Sequence, residues 1–311
     1  MTGVIAICGP TASGKTALSV LLAQALGGEI VSADSMQIYR RMDIGTAKPT
    51  PEEMGGIPHH MIDVIDPQDT YSAGRYVQDA TRCVDDILAR KKRPILVGGT
   101  GLYMDSLIAG RAFAPFTGGY REQLQERAKN EGIEPLFGEL QAIDPRRHAL
   151  LHPADEKRIL RALEVFYETG ETITEHDEKT KNIPPKYAAL RFGLQFESRA
   201  LLNARIDGRV DEMFSRGLFR EVEELLAEGL PPNATAMQAI GYKEVVAAVR
   251  GEESIETARE QVKLRSRQYA KRQETWLART ANLHRYVWGN PPNLQDALHN
   301  VTSFLAENGI S

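Results

Sequence analysis

"AICGPTASGKTAL", residues 6–18, decides how the whole chain is read. Its centre, Gly9-Pro10-Thr11-Ala12-Ser13-Gly14-Lys15-Thr16, satisfies the phosphate-binding pattern G-x-x-x-x-G-K-[ST] at every fixed position. In such a loop, successive backbone N–H groups and the N-terminus of the following helix point at phosphate oxygens. Lys15 adds a point charge, and the Thr16 hydroxyl stands where it can ligate Mg²⁺. This chemistry selects a diphosphate and its metal. It leaves open which molecule bears the diphosphate.

The flanks give the loop its context. "GVIAIC" (3–8) reads as an apolar strand, and "KTALSVLLAQAL" (15–26) as an amphipathic helix closed by Gly27-Gly28. "EIVSAD" (29–34) is a second strand, and "HHMIDVI" (59–65) is a candidate third. Residues 71–93 form a long helix with Ser72 as N-cap and Pro94 as its stop. "PILVGGTG" (94–101) is an apolar strand with a glycine turn, and 102–110 a helix. Buried-type strands alternating with helices predict an α/β fold with a parallel sheet covered on both faces.

The pattern changes after Gly110. Residues 111–120 read as a linker and 121–183 as helices only. The strongest helix is 155–170, with Ile159, Leu163 and Phe166 as its core stripe and Gly170 as C-cap. Strand-like alternation resumes at 187–197, and the last third is helical with a late strand at 284–290. We therefore expect an α/β core of residues 1–112 and 187–311, with a helical insertion over 113–186.

Composition is that of an ordinary globular chain: 311 residues, 42% hydrophobic, 26% charged, net charge −4. No apolar run approaches the ~20 residues of a membrane helix, and the N-terminus lacks the basic segment of a signal peptide. Cys8 and Cys83 are expected to be buried, inert thiols of a cytoplasmic protein. The acidic balance excludes a generally basic nucleic-acid coat but permits local basic patches.

Missing partners narrow the class further. A water-activating NTPase carries a strand ending in an acidic residue that holds Mg²⁺. Here "PILVGGTG" ends in glycines and Thr100, while Asp63 and Asp66 in "MIDVID" stand at an untypical place. Asp34, at the carboxyl end of the second strand, faces the ligand crevice of an open parallel sheet. It can bind metal, accept a proton, or simply cap a turn with Ser35.

Several stretches together resemble one family. "GPTASGKTAL", "DSMQIYRRMDIGTAKP", "PHHMIDVIDP", "VGGTGLY", "DEKRILRALEVF" and "QYAKRQETWL" are similar to bacterial tRNA dimethylallyltransferases, the MiaA-type isopentenyl transferases, over about residues 4–280. The resemblance implies a P-loop kinase-like core and a helical insertion that closes over the anticodon stem-loop. It implies transfer of a dimethylallyl group from dimethylallyl diphosphate to N6 of the adenosine 3′ to a tRNA anticodon, without ATP hydrolysis.

By the same resemblance, Gly9 to Thr16 bind the diphosphate, with Thr11, Ser13 and Lys15 as donors and Thr16 on Mg²⁺. Arg209 is a further diphosphate contact; without the resemblance it would read as a surface helix arginine paired with Asp207 or Glu212. Asp34 is the candidate base. Asp34, Ser35, Met36, Gln37 and Thr100 line the RNA side, as do Gly241, Tyr242 and Lys243. Lys157, Arg158, Ile159, Leu160 and Arg161 match the insertion's RNA-contacting stretch. Apart from the resemblance, residues 259–279 concentrate seven Lys/Arg against two Glu, with Lys263, Arg267 and Lys271 on one stripe. Val262, Tyr269 and Trp276 keep an apolar spacing on another stripe of that helix. A basic stripe on a net-acidic chain points to RNA backbone binding. A monomer is the default state. The rival readings are a small-molecule or nucleotide kinase, with Arg146, Arg147, Arg158 and Arg161 facing a transferred phosphoryl group, and a nucleotide-switched RNA-binding module.

Overall fold

The computed structural model describes residues 3–113, 119–181 and 183–310. Two compact units emerge: Met1–Gly110 with Lys186–Ser311, and Arg111–Pro185. These divisions lie within two residues of the expected 112/113 and one of the expected 186/187.

The first unit begins β1 (Gly3–Cys8), α1 (Lys15–Leu26), β2 (Gly28–Ser32), α2 (Pro51–Met54), β3 (His59–His60), α3 (Ala73–Ala89), β4 (Arg93–Gly98) and α4 (Gly101–Ala109). After the second unit it continues with β5 (Ala188–Phe196). The second unit is wholly helical where described: α5 (Gly119–Glu131), α6 (Glu134–Ile143), α7 (Pro145–His148), α8 (Glu156–Thr169) and α9 (Ile173–Lys181). Then come α10 (Arg199–Ser215), α11 (Leu218–Ala227), α12 (Tyr242–Val249), α13 (Ile255–Arg279), β6 (Leu283–Trp288) and α14 (Leu294–Glu307). All six strands pair in parallel in the order β3-β2-β4-β1-β5-β6. The α/β expectation with a parallel sheet therefore holds.

β1 lies in the middle of the sheet, and Val4 to Cys8 are buried without exception. An all-parallel sheet buries both faces, which is why these residues run as apolar without alternation. Burial pushes the Cys8 thiol up to about 12, so it stays protonated. Cys83 departs from expectation: it is half-buried, with its thiol against Met61 Sδ at 4.0 Å.

Other local expectations need correction. The helix before Pro94 ends at Ala89, and Lys91 turns at φ 58°, so Pro94 is the second residue of β4 and not a helix stop. The third strand stops at His60, because Met61 (φ 63°) and Asp63 (φ 55°) leave extended geometry. Ser72 does cap α3, its hydroxyl accepting from Arg75 N–H at 3.1 Å. In the helical unit, Ile159 and Leu163 are buried with Leu124, Leu136 and Leu140. Phe166 is only half-buried. The 111–120 linker falls partly outside the described residues.

One buried carboxylate ties the edge of the sheet together. Glu29 in β2 accepts from Arg90 Nη2 (2.8 Å), Lys92 Nζ (2.8 Å) and the His60 ring (2.8 Å). The first of the "HH" pair in turn bonds the Ile57 carbonyl through Nδ1. These donors, Arg90 above all, hold the Glu29 carboxyl well below the usual carboxylate range. Glu29 is 2% exposed, while Arg90 and Lys92 are partly open to solvent, which screens their side of the cluster. A carboxyl lowered on folding stabilises the native state above its unfolded pKa, and that stabilisation erodes as pH falls towards the folded value. Glu29→Gln should therefore cost about 2–4 kcal/mol at pH 7. The difference from wild type should shrink steadily below pH 4.5, as read by urea denaturation at a series of pH values.

Candidate active site

The phosphate loop leaves the end of β1 and is held open by its neighbours. Ala12 (φ 60°) and Gly14 (φ 82°) adopt left-handed geometry, which turns the intervening amides to one side. Trp288 at the end of β6 donates from Nε1 to the Ser13 carbonyl at 2.8 Å, fixing the loop from beneath. From α13, Gln273 accepts from Thr11 N–H at 2.7 Å and donates to the Gly99 carbonyl at 3.1 Å. Arg205 donates from Nε to the Ala12 carbonyl at 3.1 Å.

Within the loop, donors lack their proper acceptors. Lys15 Nζ folds back onto the carbonyls of Gly9 (3.0 Å) and Pro10 (2.7 Å). The Ser13 hydroxyl is buried with no hydrogen-bond partner. Desolvation, then the neighbouring Arg209, pull the Lys15 ammonium down to about 8, partly offset by Asp34. Burial likewise lowers Arg209, whose Nη1 reaches Thr11 Oγ1 at 3.4 Å. An orphaned hydroxyl and two desolvated cations around one loop make a setting that suits an anion.

Two cavities open from this point. One, of about 510 Å³, is lined by residues 12–17, Lys48, Glu53, Arg205, Arg209 and Met213 among others. The second, of about 270 Å³, is lined by Thr11, Asp34, Ser35, Met36, Arg209, Met213, Ile240, Val262, Tyr269 and Arg272 among others. Arg209 and Met213 border both. The first cavity offers cations; the second sets apolar side chains and one carboxylate beside Arg209 and Arg272.

Asp34 lies at that carboxylate's centre. Its Oδ1 accepts from Met36 N–H (2.8 Å) and Gln37 N–H (3.3 Å). The turn-capping role is thus real, although its partners are Met36 and Gln37, not Ser35. Oδ2 has no hydrogen-bond partner among the described residues and remains available to a ligand. Tyr269 stands nearby, and burial followed by the Asp34 charge raises its phenol. Thr100, whose backbone N–H donates to the Ala33 carbonyl, begins the turn into α4 on the same edge of the sheet.

Several residues expected at the RNA side have internal duties. Gln37 is fully committed: Oε1 accepts from Ser32 Oγ, while Nε2 donates to the carbonyls of Thr46 and Ala47. Tyr242 is fully buried, its hydroxyl donating to Glu221, and Gly241 is buried at the α12 N-cap; Lys243 alone of that trio is exposed. Ile159 is a core residue of the helical unit and Leu160 packs against that core. Arg161 is tied to the buried Glu164, whereas Lys157 and Arg158 are exposed, Arg158 paired with Asp155. The basic stripe of α13 is mostly an inter-helix clamp. Lys263 pairs with Asp211 and Glu260, and Arg267 Nη1 with both oxygens of Asp207. Lys271 is exposed and has no ion pair among the described residues. Asp63 and Asp66, the other acids considered, pair with Lys48 and Arg41.

Sequence reasoning passed over Arg205, Gln273 and Arg272. Arg205 sits one turn before Arg209, so helical spacing alone could have joined them. Gln273 stands inside the "KRQETW" stretch, but nothing local reveals that an amide spans to a distant loop.

The IPP transferase family profile matches residues 37–280. This chain belongs to the IPP transferase family. Its relatives include proteins described as tRNA dimethylallyltransferases. The one from Geobacter sulfurreducens is 48% identical over 276 residues, 88% of each chain. That of a Thermoanaerobacter species is 42% identical over 306 residues, 97% of each. Among solved structures, the tRNA isopentenylpyrophosphate transferase of Bacillus halodurans aligns with a TM-score of 0.74 at 38% identity, covering 99% of this chain and 96% of that one. A eukaryotic dimethylallyltransferase described as acting on tRNA aligns at 0.84 and 29% identity, covering 99% and 80%. These family relations favour transferase over kinase.

The depressed Lys15 gives the loop a pH signature. An anion needs the ammonium form, so affinity for inorganic pyrophosphate should be level below about pH 7.5 and decline as pH rises through about 8. Titration calorimetry at pH 7, 8 and 9 checks this. The Lys15→Met variant should bind weakly and lose the part of the pH dependence that wild type shows around 8.

Proposed function

We propose that this chain transfers the dimethylallyl group of dimethylallyl diphosphate to N6 of the adenosine immediately 3′ to a tRNA anticodon, position 37 of the tRNA, releasing diphosphate. One observation supports this reading best: Arg209 and Met213 stand on both cavities, so a cationic diphosphate grip meets an apolar chamber with a free carboxylate oxygen. A kinase would need a second phosphate-accepting group there instead.

The chemistry follows from the charge that must develop. As the allylic C1–O bond breaks, negative charge accumulates on diphosphate and positive charge on the prenyl carbon. Loop amides, the Ser13 hydroxyl, Lys15, Arg209 and Arg205 surround the leaving group. Thr11, between Arg209 and Gln273, closes the inner face of the grip. The N6 lone pair is delocalised into the purine, which makes it a weak nucleophile. Asp34 Oδ2, with Oδ1 anchored by two backbone amides, accepts an N6 proton as the new N–C bond forms. Met36, Met213, Ile240 and Val262 provide a dry wall for the five-carbon group.

Mg²⁺ is expected to arrive with the diphosphate. Among the described residues no cluster of His, Cys, Asp or Glu could cage a metal by itself. The Thr16 hydroxyl together with substrate oxygens suits the ion, which retains waters and favours phosphate. When bound, it neutralises charge on the leaving group.

The acting unit is taken to be one chain, since its own residues line both cavities. No described helix is long and apolar enough to cross a membrane. A tRNA substrate would place the reaction in the cytoplasm. The target base leaves the anticodon loop, where unstacking is cheap, to reach Asp34. Lys243, Lys271, Lys157 and Arg158 remain the exposed cations for RNA phosphates.

Incubation with unmodified tRNA, Mg²⁺ and either isotopically labelled dimethylallyl diphosphate or γ-labelled ATP should move only the prenyl label into tRNA. Transfer of the ATP label instead would overturn the reading. Asp34→Ala should lower turnover about 10²–10⁴-fold while pyrophosphate affinity stays within a few-fold of wild type. Lys271→Ala should weaken tRNA binding and lower the slope of log affinity against log salt by about 0.7–0.9, measured by filter binding.

A further inference from the structure

Residues 43–47, in "DIGTAK", form a loop that borders both cavities: Ile44 and Ala47 line the larger, Gly45 and Thr46 the smaller. Short loops of this kind hold their course only if their amides find partners. Here one side chain supplies three of them. Glu221 of α11 accepts from Asp43 N–H (2.9 Å) and Ile44 N–H (2.8 Å) on Oε2, and from Gly45 N–H (3.1 Å) on Oε1. The buried Tyr242 hydroxyl donates to the same Oε1. Gln37 takes the carbonyls of Thr46 and Ala47 at the other end, and Lys48 Nζ anchors the exit on the Tyr39 carbonyl.

Resting on the transferase reading, we propose that Glu221 is a positioning residue for the reaction. It borders neither the phosphate loop nor Asp34, yet it sets the loop that walls both the diphosphate and the acceptor chamber. A charged acceptor matters here, because three amides converge on two oxygens and charge-assisted bonds are about twice as strong as neutral ones. Gln at this place would turn an NH₂ donor towards amides that are themselves donors. The fit is close on the far side too. A Cβ at Gly45 would lie 2.4 Å from the Tyr242 ring and 2.9 Å from Leu218 Cδ1. Gly45→Ala therefore shifts the same loop while leaving the Glu221 carboxylate itself present.

The test compares wild type, Glu221→Ala, Glu221→Gln and Gly45→Ala, each shown folded by circular dichroism. Amide hydrogen exchange should show loss of protection at 43–45 in the Glu221 variants. In Glu221→Ala, pyrophosphate affinity and stem-loop RNA affinity should both fall by about 5–50-fold, because the loop walls both chambers. Prenyl transfer per folded molecule should fall similarly, with Glu221→Gln intermediate. If Glu221→Ala does not fold, Gly45→Ala must show the paired loss of both affinities. A purely structural Glu221 would lower the melting temperature and leave kcat, both KM values and both affinities within twofold, and that result overturns the proposal. A wild type that transfers no prenyl group would sink the transferase reading, while exchange and the two affinities would still decide the role of Glu221.

Discussion

The amide of Gln273 joins two loops, at Thr11 and Gly99, that lie far apart in the chain. Its oxygen holds Thr11 N–H and its nitrogen holds the Gly99 carbonyl, so the turn after β1 and the turn after β4 share one register. Everything at the site builds on that tie. A side chain at Gly99 would occupy the amide's own space, its Cβ 2.0 Å from Gln273 Nε2. One turn further along α13, Trp276 lies across Gly101 and donates to Asp105, which Arg191 of β5 also holds. Tyr269, one turn earlier, and the adjacent Arg272 border the smaller cavity. A single helix thus fixes the diphosphate grip and presents the opposite chamber, which couples their geometry without a flexible connection.

That rigidity carries an electrostatic cost. Lys15 and Arg209 are both desolvated, and the Arg209 charge adds to the lowering of the Lys15 ammonium. Lys15 Nζ donates to two loop carbonyls, and the Asp34 charge partly offsets the lowering of both cations. A diphosphate removes the mismatch. The site is therefore preorganised for charge that the ligand brings, and preorganised dipoles need not reorient as the leaving group departs.

The sheet and the phosphate loop were legible because each depends on local sequence. Buried parallel strands are continuous apolar runs, and the loop has fixed glycine, lysine and threonine positions. Element ends were less legible where a single residue in left-handed geometry, such as Lys91 or Met61, ended a run that composition would have continued. Within the site, Lys15, Thr11, Asp34 and Arg209 do come together. What periodicity could not supply is the partner of each polar residue. Gln37, Tyr242, Lys263 and Arg267 all have the look of ligand-facing groups, yet each meets an internal partner distant in sequence or in the next loop. Arg205 and Gln273 were missed for the converse reason, since their partners are backbone atoms some 190 to 260 positions away.

The fate of the α13 cations changes how RNA recognition must be understood. Seven Lys/Arg on one helix suggested a broad electrostatic surface. Lys263 and Arg267 instead clamp α13 to α10 through Asp211 and Asp207, and α10 is the helix that bears Arg205 and Arg209. Arg259 pairs with Glu256 over the Phe214 ring, and Arg272 lies over Tyr269. Part of the charge that composition assigns to the surface thus holds the helix of Arg205 and Arg209 in place, while Arg265, Lys271, Arg272 and Arg279 stay exposed without an ion pair among the described residues. With fewer free cations, counterion release contributes less to RNA affinity. On the proposed reading, discrimination then falls more to shape: a base would have to leave its stack, pass the loop held by Glu221, and fit beside Asp34. On the proposed reading, loop nucleotides of an anticodon meet that demand at lower energetic cost than paired ones, so the chamber bordered by Asp34, Arg209 and Arg272 is itself a filter for the target base.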